Sequence, residues 1–76
     1  MSVRDAITRV FGGEWRAVRQ PGWYGVWWVQ KTPPHQTVQF VKGKFRLFQD
    51  VTDEHPGRAG EDVSARVFAM LRKGDT

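Results

Sequence analysis

Apolar and polar positions alternate along this chain with two different periods. Val3, Ala6, Ile7, Val10 and Phe11 fall at i, i+3, i+4, i+7 and i+8, one stripe of a helix. Ser2 stands just before the stripe with Asp5 three residues on, a start that resembles a capping box. Gly12-Gly13 follow it, and glycine accepts the left-handed conformation found past helix C-termini. A second stripe, Val63, Val67, Met70 and Leu71 with Phe68 on its flank, predicts a helix from Glu61 to about Lys73. Glu61 and Asp62 would lie in its first turn and Arg72 and Lys73 in its last, as the helix dipole favours, with Gly74 closing it.

Between these helices the period changes to two. Trp23-Tyr24-Gly25-Val26-Trp27-Trp28-Val29-Gln30-Lys31 is the most apolar run, bounded by Pro21-Gly22 and Pro33-Pro34, and reads as a strand. Both of its parities are apolar: Trp23, Trp27 and Val29 on one, Tyr24, Val26 and Trp28 on the other. Gln36 to Lys42 alternates as a half-buried strand, and Gly43-Lys44 suits a two-residue turn into a strand carrying Phe45, Leu47 and Phe48. That turn sets Phe40 opposite Leu47. A Lys31–Gln36 closure sets Trp27 opposite Phe40 and Val29 opposite Val38. The expected core face is then Trp27, Val29, Val38, Phe40, Phe45 and Leu47. The opposite face is Tyr24, Val26, Trp28, Gln30, Thr37, Gln39, Val41, Arg46 and Phe48. Glu14 to Gln20 forms a first strand in one of two registers, with Trp15 opposite either Trp28 or Trp27; the second, which turns Arg16 outward, is preferred.

These elements predict a single α+β domain over residues 1–76: helix, three or four antiparallel strands, helix, in two layers with the helices packed on one face of the sheet. The order helix–strands–helix is shared with the double-stranded-RNA-binding domain. That family places a lysine cluster at the start of its last helix, where this chain has Glu61-Asp62, so no membership is drawn.

Composition narrows the picture. Seventy-six residues allow a modest core, and with no cysteine neither a disulfide nor a thiolate metal site can brace it. No apolar run approaches the roughly 18 residues of a membrane helix, and the N-terminus lacks a secretory pattern, which suggests a soluble, cytoplasmic protein. The net charge of +4 is unevenly spread. Over residues 1–49 eight basic side chains face only Asp5 and Glu14, whereas residues 50–62 hold Arg58 against Asp50, Asp53, Glu54, Glu61 and Asp62. A positive sheet region permits an anionic partner.

The candidate chemistry is that of binding. Tyr24, Trp28 and Phe48 on the open face, with Arg46, Lys42, Lys44, Arg16 and Arg19 around them, would form a stacking platform for bases with cations for phosphates. The expectation is a small basic, non-enzymatic module that engages a nucleic acid or nucleoprotein complex. By class analogy this includes phage or mobile-element accessory proteins that block a host machine. Two alternatives weigh about equally: an inhibitor or adaptor that uses the aromatic face on a host protein, and a homodimer that hides it. Catalysis is not expected, because the sequence holds no nucleophile elbow, phosphate loop or His-Glu-x-x-His pair. No cofactor is implied. Asp50, Asp53, Glu54 and His55 lie close together but lack the spacing of a calcium loop and read as a solvated turn. His35 reads as an exposed loop residue.

Overall fold

Ser2 begins the first helix as its hydroxyl predicts: Oγ accepts the Asp5 backbone N–H at 3.0 Å. The helix ends at Gly12, whose N–H still returns to the Thr8 carbonyl and whose φ of 78° then turns the chain out of the helix. In the computed structural model, which describes residues 1–19, 24–49 and 60–74, two helices and five strands follow in order. They are α1 (Val3–Phe11), β1 (Trp15–Val18), β2 (Val26–Gln30), β3 (Thr37–Val41), β4 (Lys44–Phe48), β5 (Glu61–Asp62) and α2 (Ser64–Gly74). Each strand pairs antiparallel with its neighbours in sequence, in the order β1-β2-β3-β4-β5, so the class is α+β. No described helix is long and apolar enough to cross a membrane. The Gln20-Pro21-Gly22 turn, Trp23 and the acidic connection with Asp50, Asp53, Glu54 and His55 lie outside the described residues.

The central strand is turned over relative to the expectation. Trp28 pairs with Val38 and Val26 with Phe40, one residue away from the predicted register. A slip of one exchanges every side chain between faces, so Trp28 enters the core and Trp27 leaves it. The cause lies at the end of β2. Gln30 is buried; its Nε2 donates to the Gly12 carbonyl at 3.1 Å and its Oε1 accepts the Gln36 N–H at 3.1 Å. Trp15 Nε1 donates to the same Gly12 carbonyl at 2.7 Å. These bonds draw Gln30 to the side of Trp15, and Gln30 N–H meets the Gln36 carbonyl, so residues 31–35 form the loop instead of 32–35. The first strand takes neither predicted register. Trp15 pairs with Gln30 and Arg16 with Val29, which leaves Arg16 exposed as the preferred register intended.

The β3–β4 turn is also displaced. Val41 pairs with Lys44, so Lys42-Gly43 are the two turn residues, with φ of 54° and 76°. Positive φ at both central positions is the primed turn whose twist matches a hairpin. The slip is by two residues, so the faces of β3 and β4 stay as expected: Phe40 meets Phe45, and Val38 meets Leu47.

One sheet face and the helices share a core of Ala6, Ile7, Trp15, Trp28, Val38, Phe45, Leu47, Val63 and Val67. We call that face inner. Phe45 is its hub, with ring centroids 4.4 Å from Phe40, 5.1 Å from Phe68 and 6.2 Å from Trp28. Glu61-Asp62 do not open the second helix but add a fifth strand. Val63 N–H donates to the Phe45 carbonyl, while Ser64 Oγ accepts the Phe45 N–H at 2.8 Å, so β4 claims these residues first. Asp62 Oδ1 then accepts the Ser64 N–H at 2.9 Å, in the manner of a cap. Ser64→Ala leaves the buried Phe45 N–H without its partner. It is expected to cost about 1–3 kcal/mol, read from the shift in urea midpoint at unchanged slope.

Candidate functional site: the basic end of the sheet

The outer face is less open than its composition suggests. Trp27 and Phe48 are 3% and 8% exposed, and their rings approach to 5.7 Å. The two residues belong to β2 and β4, so rings that meet do so across β3, and Thr37, the direct partner of Phe48, is buried with them. Phe48 is therefore on the predicted face but enclosed. Trp28, 8% exposed, is on the wrong face altogether, against the core. The expected three-ring platform of Tyr24, Trp28 and Phe48 does not exist as an exposed surface; only Tyr24, at 80% exposure, is available.

Tyr24 reaches its place through Gly25. That glycine has φ of 81°, and a Cβ built on it would stand 2.3 Å from the Phe40 carbonyl oxygen and 3.0 Å from Val41 Cβ. The chain thus lies flat against β3 in a conformation and a space that only glycine fits. The bend breaks the alternation of the strand, so Tyr24 need not follow Val26 and Trp28 inward. Its carbonyl accepts from Trp27 Nε1 at 2.9 Å and Gln39 Nε2 at 3.0 Å, both from residues of the outer face. The backbone at Tyr24 is held over the outer face at the end where Val41 runs into the Lys42-Gly43 turn.

Cations gather at this end. Lys42 and Lys44 flank Gly43, and both are exposed. Arg19, also exposed, continues β1 one residue beyond the Val18–Trp27 pair, towards the same end. None of the three forms an ion pair with another described residue. Arg46 is half-buried one row further in, opposite Asp62. Hydrogen bonding from Ser64, side chain first and backbone second, holds the Asp62 carboxyl below its usual range, and Lys44 and Arg46 act in the same direction. Asp62 thus stays charged and offsets part of the Arg46 field. Arg16 lies on the outer face but in the row of Val29, Thr37 and Phe48, towards the other end of the sheet.

Of the eight predicted site residues, the structure places Arg19, Tyr24, Lys42 and Lys44 at one end of the sheet, with Arg46 further in along β4. It removes Trp28 and encloses Phe48. Sequence reasoning missed two positioning residues, Gly25 and Gln39. A glycine within a run of β-branched and aromatic residues does signal a bulge or close approach, which points to Gly25; no comparable signal marks Gln39. Among the described residues no group of His, Asp and Glu side chains could hold a metal ion. Comparison with protein families, curated proteins and solved structures finds no match to this chain.

Proposed function

We propose that the protein is a non-enzymatic binding module that engages nucleic acid through the sheet end bearing Arg19, Tyr24, Lys42 and Lys44. The reading takes the molecule as a two-layer domain with both helices on the inner face; Trp27, Thr37 and Phe48 are buried on the outer face, so the exposed basic end of the sheet is the surface offered to a partner. One observation carries it: an aromatic ring 80% exposed, on a backbone pinned by Gly25, stands at the end of the sheet that also carries the exposed Arg19, Lys42 and Lys44. Phosphate groups satisfy such cations, and a base offers the ring a flat apolar partner. The alternative of an aromatic sheet face gripping a host protein or a second copy loses two of its three anchors, because Trp28 and Phe48 are buried within the chain and only Tyr24 is exposed.

Phosphate binding predicts a specific salt response. With about three cations engaged, log affinity for an oligonucleotide should fall with log salt at a slope of about −2 to −3. Lys42→Ala and Lys44→Ala should each lower affinity and reduce the slope by about one. Affinity that does not respond to salt, or a slope unchanged in the double variant, would remove phosphate from the account.

A further inference from the structure

We propose that this surface selects unpaired nucleotides over duplex, with Tyr24 as the ring on which a single base stacks. The inference rests on the nucleic-acid reading and adds the strand state of the ligand. Tyr24 is 80% exposed, and no described aromatic ring lies against it. An open ring gains from a base only if the base has a free face, and within a duplex both faces are already stacked. An unpaired base meets the ring at no such cost, and the contact tolerates any base because each has a π-face.

The platform is held in place before any ligand arrives. The Tyr24 carbonyl is fixed by Trp27 Nε1 and Gln39 Nε2, and Gly25 lies against the Phe40 carbonyl. The Lys42-Gly43 turn is of the tight two-residue kind, so Lys42 and Lys44 leave the hairpin from set positions next to Val41, which Gly25 approaches. A phosphate on either side of the stacked base would find a cation there. Trp27 and Phe48 are buried, so among the described residues of the outer face Tyr24 is the ring open to a base, and the proposed footprint is one stacked base with flanking phosphates. Binding should therefore be short-range, weakly dependent on sequence and specific for single strands.

Fluorescence anisotropy with a labelled thymidine oligonucleotide of about ten nucleotides and a blunt duplex of equal length tests this. The wild-type protein should favour the single strand by about tenfold, the weight of one stacked base. Tyr24→Ala should lose that preference and leave duplex affinity unchanged, whereas Tyr24→Trp should keep it. Its hydrogen bonds run through the Tyr24 carbonyl, which alanine retains, so the thermal midpoint should not move. Should Tyr24→Ala fold poorly, the wild-type preference and the Tyr24→Trp result decide the matter by themselves. Equal affinity for both ligands, or an equal fall for both in Tyr24→Ala, overturns the inference and leaves the nucleic-acid reading standing. Binding to neither ligand at low salt overturns both.

Discussion

Phe45→Ala is expected to be the most damaging single truncation, costing about 3–5 kcal/mol of stability. The ring is 2% exposed and touches Phe40, Phe68 and Trp28, so its removal leaves a cavity lined by aromatic rings from β2, β3 and α2. The backbone of the same residue carries both bonds that seat the start of α2, through Val63 N–H and Ser64 Oγ. Relaxation that shrinks the cavity would strain those bonds, which limits how far the site can collapse. A domain of this size has roughly 4–11 kcal/mol in total, so the variant should melt well below the wild type or be partly unfolded at room temperature. Phe68→Ala, at the exposed edge of the same cluster, should cost only about 1 kcal/mol. Urea denaturation of the two variants checks the contrast. Equal losses would mean that the core is not centred on Phe45.

Gly25→Ala is the second large effect and links stability to the site. The new Cβ meets backbone, not a side chain that can swing aside: the Phe40 carbonyl oxygen lies 2.3 Å from it. Positive φ adds its own cost of about 1–2 kcal/mol for any L-residue, and overpacking adds about 1–3 kcal/mol. The expected loss is therefore about 2–5 kcal/mol. Gly43→Ala supplies the control. Gly43 has a similar φ of 76° but nothing within 4 Å of its Cβ, so it should lose only the conformational part, about 1–2 kcal/mol. The difference between the two variants measures the close approach of the chain to β3. Gly25→Ala should also weaken oligonucleotide binding, because it displaces the Tyr24 carbonyl from Trp27 and Gln39. Equal destabilisation by the two substitutions would mean that the chain does not lie against β3 at Gly25.

How much of this was legible in the sequence depends on what sets each element. α1 is local: a hydroxyl cap, one apolar stripe and a glycine stop determine it, and its bounds agree with the reading. The faces of β3 and β4 follow from alternation, since only one parity of each is mostly apolar and a two-residue slip of the turn leaves the faces intact. β2 carries no such information, because Trp27 and Trp28 are equally apolar neighbours. Its orientation is decided by the non-local bonds of Gln30 to Gly12 and Gln36, eighteen and six residues away, which no periodicity reports. The start of α2 was misplaced for a related reason. Glu61-Asp62 suit a first helical turn, but their backbone is taken by the edge of β4. The site followed the same division: the cations Lys42 and Lys44 could be read directly, whereas the outward placing of Tyr24 and of its companions rested on the register of β2, and Tyr24 is exposed only because the bend at Gly25 breaks the alternation.

The most direct test of the account is to map where an oligonucleotide touches the protein. Heteronuclear NMR of isotope-labelled protein, titrated with a short single strand at low salt, should move the amide signals of Tyr24, Gly25, Lys42, Gly43 and Lys44. The indole signals of the core residues Trp15 and Trp28 should stay in place. Shifts confined to α1 or α2, or no shifts at saturating oligonucleotide, would contradict a binding surface built on the basic end of the sheet.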